Sequence, residues 1–564
     1  MASSTTIFAA KKILTMNSYQ PIATHVAVRD GRILGVGSLD ELAHWGDYTL
    51  NETFCDKVLV PGFVEAHCHA MNGSVWEHTY VGYFDRTDPN GQVWPGIKNI
   101  TGVVERLIEI EQTLDDSEET LFAWGFDPIY FDDGVRMKLE HLDQVSRDRR
   151  ILVQHSNGHL LNANRKVLEL ASIDATTDVE GVMKDTDGNP TGELGEMAAQ
   201  FMAYKVTGMR KLDGINSNDL WSFAKTATNV GVTTATDLHA RVEDQNVQAY
   251  VEVTKSADYP LRLVPAAAAL TMSIQDGPSH VAQLKQHNND KLYLGLCKIM
   301  TDGSIQGFTG RLKWPGYING KPNGIWNLPP QTLTQMVEAY HAAGLQMHMH
   351  TNGDEASELM INAIEAALLK FPRPDHRHTL THCQMADEAQ FRRMAQLGIC
   401  SNLFTNHIYY WGDQHYSLTM GPDRATRMDA CGTAKRLGVP YTIHSDAPVT
   451  PLDPLFTAWC AVNRQTASGR VLGPNERIEV RDALHAITLG AAFTLHLDHL
   501  VGSIESGKFA DFAVLEDNPN DVPAETLKDI PVWGTVVDGI PRPCLLYTSP
   551  SPRDLSTSRM PSSA

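Results

Sequence analysis

Apolar and polar positions in the middle of the chain repeat one arrangement: a helical pattern, a glycine, then an apolar or β-branched run. "AYHAAGLQMHMH" leaves a helix at Gly344 and enters a strand, "RRMAQLGICSNL" does so at Gly398, and "AKRLGVPYTIHSD" at Gly438. "NVGVTTATDLHA" sets Gly231 before another β-branched run. A glycine just past a helix suits the left-handed C′ position, so each stretch predicts a helix-to-strand junction of a parallel sheet. Repeated units of this length predict an α/β fold, a (β/α)8 TIM-like barrel with its chemistry at the strand C-termini. A doubly wound sheet is the structural alternative, but no GxGxxG phosphate loop follows a first strand.

The two ends of the chain read differently. "VAVRDGRILGVG" is a hairpin with Asp30-Gly31 as its two-residue turn. "VGSIESGKFADFAVLE" and "VWGTVVDGIPR" again read as short strands and turns. Residues 1–60 and 495–543 are therefore expected to form one small composite β-sandwich beside a barrel spanning 61–494. Between about 75 and 225 the helix–strand rhythm is poor and aromatics are frequent, which predicts an insertion after the first barrel strand, lying over the barrel mouth.

Bulk properties narrow the function classes. The net charge of -20 over 564 residues speaks against nucleic acid, whose phosphates need clustered Lys and Arg. The 8 cysteines form no CxxC pair, as fits reduced thiols in a cytoplasmic enzyme. No run at the start reads as a signal peptide, and no run has the length of a membrane span. The last stretch, Cys544 to Ala564, is rich in Ser, Pro and Arg without periodicity and resembles a translated sequencing adapter. It is expected to be a non-native, disordered tail. A small-molecule substrate is the expected partner, with neither nucleic acid nor membrane, and a homodimer is the default assembly.

Histidine, lysine and aspartate stand at the predicted strand ends. In "PGFVEAHCHA", His67 and His69 are two apart; residues i and i+2 of a strand share a face, so both rings project together while Cys68 faces the other layer. "KLYLGLCKIMTDGS" puts Lys298 on the face of Leu292, Leu294 and Leu296, and "LQMHMHTNGD" pairs His348 with His350. "HTLTHCQMAD" aligns His378, Leu380 and His382, and "YTIHSDAPV" brings His444 and Asp446 together before a loop. Singly, each has an ordinary structural explanation: packed core histidines, Lys298 paired with Asp302, Asp446 capping a helix. Jointly, the ends of a parallel barrel converge on one mouth, and neutral imidazoles with carboxylates suit zinc and similar divalent ions. Lys298 is the odd member, because a free ammonium repels a cation and an unpaired buried charge is costly. Carboxylation by CO2 removes the conflict, since a lysine carbamate is an anion with two ligand oxygens able to bridge two metals.

The set "HCH", Lys298, His350, His382 and Asp446 resembles the amidohydrolase superfamily. The surrounding motifs "NGHLLNANRKVL", "KIMTDGSIQGFTGR", "HMHTNGDEA" and "HSDAPVTPLDPL" resemble its family 3, the YtcJ-like branch that includes N-substituted formamide deformylases. The resemblance runs over residues 6 to 542, with the motifs in family order. It implies that His67, His69, Lys298, His350, His382 and Asp446 hold one or two divalent ions, most simply zinc, with Lys298 carboxylated. It also implies that His159 and Asn164 reach substrate. His348 is expected to lie one layer deeper and not to be a ligand.

The expected reaction is hydrolysis of an amide or other non-peptide C–N bond. A metal lowers the pKa of bound water from 15.7 to roughly 7, and the resulting hydroxide attacks a carbonyl polarised by metal or histidine. Asp446 passes the proton to the leaving nitrogen, and His382 and His159 complete the catalytic set. Asp302, Trp124 and Tyr410 join His159 and Asn164 as expected substrate contacts. Deamination, with Glu355 near His350, or ester and lactone hydrolysis on the same fold are alternatives, as is a metal-free relative without catalysis.

Overall fold

The computed structural model describes residues 4–131, 136–209 and 215–544. The helix–glycine–strand junctions form as the pattern requires. Gly398 and Gly438, each at φ 72°, close helices Glu388–Leu397 and Cys431–Leu437 and turn the chain into the next strand. A side chain at that φ would be strained, which is why glycine stands there.

Eight strands form one parallel sheet. In chain order, and numbered one to eight hereafter, they are Phe63–Glu65, Val232–Ala240, Arg262–Ala268, Leu296–Met300, Gln346–Thr351, Thr379–His382, Cys400–Leu403 and Tyr441–Ile443. Each neighbouring pair is parallel. Beyond strands one and eight, Asp446 N–H donates to the His67 carbonyl at 3.0 Å and His69 N–H to the Ala447 carbonyl at 2.8 Å, joining the two edges. The fold is thus TIM-like, and all eight C-terminal ends face one mouth.

Both chain ends share a second sheet. Thr5–Leu14, Ile22–Arg29, Arg32–Gly37 and Tyr48–Pro61 pair with Phe512–Leu515, Val532–Val537 and Ile540–Pro543 in one seven-stranded sheet. Asp30 and Gly31 have φ of 51° and 71°, the positive pair a type I′ hairpin demands. Hydrogen bonding runs through all seven strands without a break, so the expected sandwich is met only as far as the termini forming one β unit. Phe8, Ile13, Val26, Phe54, Phe512 and Val536 fill its core.

The stretch between strands one and two has a sheet of its own, ordered Val182–Lys184, Pro190–Gly195, Leu160–Ala163, Ile151–His155, Leu121–Phe126 and Thr79–Tyr80. Its core includes Val75, Phe122, Leu152, Leu161 and Leu194. The turn between Ile151–His155 and Leu160–Ala163 points at the barrel mouth and carries His159.

The loop after strand seven gives a titration test. His415 is fully buried, with Nδ1 2.8 Å from Thr419 Oγ1 and Nε2 3.0 Å from His407 Nδ1. Burial lowers its pKa to about 3, against 6.5 for an ordinary histidine. Below pH 6.5 the unfolded chain therefore binds a proton that the native state refuses. The residue's stabilisation is complete above that pH and drains as pH falls toward the folded value. The stability advantage of wild type over His415→Gln is expected to shrink by about 1.4 kcal/mol per pH unit below pH 6.5. Urea midpoints of both proteins across pH read this directly; a pH-independent difference would refute it.

Cys544 is buried, and its N–H donates to the Trp533 carbonyl at 2.8 Å. The rest of the expected tail, residues 545–564, lies outside the described residues. A protein ending after Cys544 is expected to keep the metal content and melting temperature of the full chain; loss of either would show that the tail belongs to the fold.

Candidate metal centre and cavity

Strand one ends at Glu65, so His67 and His69 lie just beyond it, held against the exit of strand eight by the edge-joining hydrogen bonds described above. Both rings meet one carboxylate. His67 Nε2 is 3.3 Å and His69 Nε2 3.1 Å from Asp446 Oδ1. Cys68 turns away and its thiol donates to the Thr236 carbonyl at 3.1 Å.

Strands five, six and eight complete the cluster. His350 Nδ1 lies 3.1 Å from His382 Nε2, and His382 Nδ1 lies 3.2 Å from His444 Nε2. One donor atom from each of His67, His382, His444 and Asp446 falls within 4.8 Å of the others. A tetrahedral ion with bonds of about 2.0–2.1 Å has donor–donor edges of about 3.3 Å. The His67–Asp446 contact has that length and the rest of the group is wider, so its imidazole and carboxylate donors are of the right kind for a divalent cation and would draw in around one. His382 and Asp446 take left-handed backbone, φ 65° and 52°, at their strand ends, the kind of strain that gathers at functional sites.

Electrostatics agree with the geometry. Burial, helped by Lys298 and the neighbouring rings, lowers the pKa of His67, His350 and His382 well below that of a free histidine. Burial takes His444 to about 3. The imidazoles are therefore neutral and have lone pairs to offer. Burial opposes ionisation of Asp446, but the His69 hydrogen bond and charge outweigh it and hold the carboxyl below its usual range. Lys298 is buried, and its Nζ has no hydrogen-bond partner among the described residues. Burial lowers its pKa to about 7 against the pull of Asp446.

Groups behind the cluster orient it. His444 Nδ1 lies 2.7 Å from Asn402 Oδ1, and Asp237, which accepts from the Tyr250 hydroxyl, lies 3.9 Å from His69 Nδ1. The amide contact fixes which nitrogen of His444 faces the cluster, and the Asp237 carboxylate stands behind His69 beyond hydrogen-bond reach. Glu65, bound by Ser445 and the His67 N–H, sits beneath, where burial pushes its carboxyl up to about 8.

A cavity of about 710 Å³ opens above. His67, His69, Lys298, His350, His382 and Asp446 all line it. The insertion contributes Trp124, His159, Glu196 and Ile215, and Leu270 and Trp326 add apolar wall from the barrel. His159 is paired with Glu196, Nδ1 to Oε2 2.9 Å. Burial works against the charged ring, but the Glu196 carboxylate prevails and raises its pKa.

Three expected substrate contacts lie elsewhere. Asn164 is fully buried as the N-cap of helix Arg165–Leu170; its Oδ1 accepts from Val167 and Ile151 N–H, and its Nδ2 donates to the Ser146 and Arg149 carbonyls. Every polar atom is spent on the backbone. Asp302 accepts N–H from Arg311, Asn352 and Gly353 and lies 3.7 Å from His350 Nε2, so it braces loops behind that ring. Tyr410 packs between Phe84 and Phe456 in the aromatic seam joining the insertion to the barrel. Glu355, the acid of the deaminase alternative, is clasped by Arg311 Nε and Nη2 at 3.1 and 3.0 Å and is absent from the cavity wall. His348 reaches the Thr494 carbonyl at 3.0 Å and does not line the cavity, as expected.

Sequence reasoning gave no site role to His444, Asp237, His239 or Glu196. His444 and Asp446 both lie just beyond strand eight, and the sequence set them side by side without giving His444 a role. Asp237 and His239 line the cavity from strand two, and Glu196 reaches it from the insertion. Glu196 left no mark in the sequence, because only the insertion's fold brings it to His159.

A model of the amidohydrolase family matches residues 56–541. The protein LONG AFTER FAR-RED 3 of Arabidopsis thaliana is 28% identical over 550 residues, covering 93% of this chain and 89% of its own. YtcJ of Bacillus subtilis (strain 168) is 26% identical over 536 residues, 91% and 94% of the two chains. The N-substituted formamide deformylase of Arthrobacter pascens is 24% identical over 566 residues, 94% and 96% of the two. An uncharacterized metal-dependent hydrolase from Pyrococcus horikoshii OT3 shares the fold with a TM-score of 0.69 at 18% identity, over 92% of this chain and 99% of that one. Among the described residues no helix is long and apolar enough to cross a membrane. With its motifs in family order and a His/Asp cluster at the barrel mouth able to hold a metal, the chain belongs to the amidohydrolase family of metal-dependent hydrolases.

Proposed function

We propose that this protein hydrolyses an amide or other non-peptide C–N bond, with zinc at the barrel mouth and Lys298 carried as its carbamate. The observation that supports this most is the approach of His67 and His69 to a single oxygen of Asp446, beside His382 and His444, at the floor of a largely apolar cavity. His67, His69, His350, His382 and Asp446 would hold the metal, with His444 behind or beside them. When bound, it supplies an acidified water and polarises a carbonyl. Asp446, kept ionised by His69, takes the proton of the attacking water and delivers it to the leaving nitrogen. His382 lies between His350 and His444, so one of its ring nitrogens would turn to the metal while the other keeps a neighbouring ring in place. Lys298, with a pKa near 7, has a neutral amine fraction at physiological pH. It can add to CO2, losing one proton and gaining a carboxylate.

The apolar wall suits an apolar acyl or amine substituent, and the relation to an N-substituted formamide deformylase points the same way. Ester or lactone hydrolysis is the second reading, since the same carbonyl chemistry serves both. We read residues 61–494 as the catalytic barrel, the terminal sheet as the composite β-sandwich, and residues 75–225 as the cover of the mouth. We also read the protein as cytoplasmic and dimeric, acting on a small molecule without nucleic-acid or membrane partners.

Elemental analysis of the purified protein, paired with a panel of N-formyl and N-acyl amines, esters and aminated heterocycles, tests the reading. At least one metal per chain and hydrolysis of an amide are expected, with no ammonia from the heterocycles. Lys298→Met is expected to lose bound metal along with activity. Less than one metal per chain, and no hydrolysis after addition of Zn, Mn or Co, would favour a non-catalytic relative.

A further inference from the structure

His159 enters the cavity from the turn between Ile151–His155 and Leu160–Ala163, with its ring centroid 5.7 Å from that of His350. One residue pins it from behind. Glu196 Oε2 accepts from His159 Nδ1 at 2.9 Å, and the Glu196 N–H donates to the His159 carbonyl at 2.8 Å. Asn157 Oδ1 accepts the His159 N–H at 2.8 Å, so ring and backbone are both held. With Nδ1 committed, Nε2 is the ring atom left for a ligand. It makes no hydrogen bond to any described residue.

Fold stability does not account for a glutamate at position 196. The residue opens helix Glu196–Thr207 at φ 57°, a conformation that glycine holds without strain. Its second oxygen, Oε1, is buried with no hydrogen-bond partner, which is costly for a carboxylate. Strain and an unsatisfied acceptor persist where the side chain serves a site.

We propose that Glu196 is a positioning residue of the hydrolytic site: it orients His159 and balances the charge of its ring, so that Nε2–H is donated to the substrate's carbonyl oxygen as that oxygen gains negative charge. The arrangement parallels the carboxylate–imidazole pair of serine hydrolases, in which the acid holds tautomer and orientation without itself reacting. A donor aimed at a developing oxyanion contributes most when fixed in advance in a water-poor cavity. The proposal rests on the hydrolase reading above.

The test is a cycle of His159→Asn, Glu196→Gln and the double variant, measured on the best amide of the panel with metal content recorded. Glu196→Gln is expected to lower kcat about 100-fold with KM within threefold of wild type. It should add no further loss in the His159→Asn background. Without any turnover, the Nδ1 proton of His159 should give a downfield resonance in 15N-histidine-labelled protein, absent from both single variants. Glu196→Gly, relieved of strain, should melt no lower than wild type while losing kcat, whereas a merely structural glutamate would lower the melting temperature. Additive losses, an unchanged resonance in Glu196→Gln, or a kcat within threefold of wild type would overturn the proposal alone. No turnover by wild type on any member of the panel overturns the hydrolase reading and this proposal with it.

Discussion

Asp446→Asn is expected to lower kcat by about 10²–10⁴-fold, or roughly 3–5 kcal/mol of transition-state stabilisation, while most of the metal stays bound. Asparagine keeps the shape and one oxygen donor, and His67, His382 and His444 still converge from three strands. What it removes is the negative charge that both rings of the first pair approach, at 3.3 and 3.1 Å. It also removes the atom able to take and return a proton. The two losses separate in measurement: elemental analysis reports the ligand role, and single-turnover rates report the proton role. A variant with a full complement of metal and more than a tenth of wild-type kcat would remove Asp446 from proton transfer.

The largest effect on stability is expected at Arg262, far from the cavity floor. Its side chain is fully buried at the start of strand three and reaches into the terminal sheet. Nε and Nη2 contact the two oxygens of Asp511 at 2.6 and 2.9 Å, Nη2 also contacts Asp538, and the guanidinium lies 3.4 Å from the Phe509 ring centre. The planar fork satisfies two carboxylates at once, which lysine does not reproduce. Arg262→Leu strands the Asp511 carboxylate in a site where it is 5% exposed. Removing one partner of such a pair costs about 3–5 kcal/mol. Arg262→Leu combined with Asp511→Leu is expected to recover part of it, since the stranded charge is then gone. Urea unfolding of the metal-loaded proteins decides the matter. A single variant within about 1 kcal/mol of wild type would mean that the sheet and barrel do not depend on this clamp.

The barrel was legible because its cues are local. A C′ glycine and a helical stripe act within a turn or two, so Gly398 and Gly438 marked their junctions before any tertiary contact was considered. The terminal sheet was legible in part. Asp30-Gly31 announced its hairpin, but whether seven strands make one layer or two depends on pairings such as Phe512–Leu515 with Tyr48–Pro61, more than 400 residues apart. Substrate contacts were the least legible. Asn164 and Tyr410 have side chains that serve equally well in a pocket, a helix cap or an aromatic seam, and only their neighbours distinguish these uses.

By itself the sequence determined that imidazoles, one lysine and one carboxylate stand in or just beyond the barrel strands, because the apolar runs that mark those strands are local and need no distant partner. It likewise determined that the strand ends share a mouth, since parallel strands joined by helices bring their C-termini to one side. Tertiary structure alone decided which ring nitrogens meet, that His444 joins His382, and that Asp302 braces the loops behind His350. It alone brought His159 and Glu196 across from the insertion. Those outcomes hang on barrel closure and on the docking of a separate sheet. Both are set by packing between segments hundreds of residues apart, and no short stretch of sequence encodes such distances.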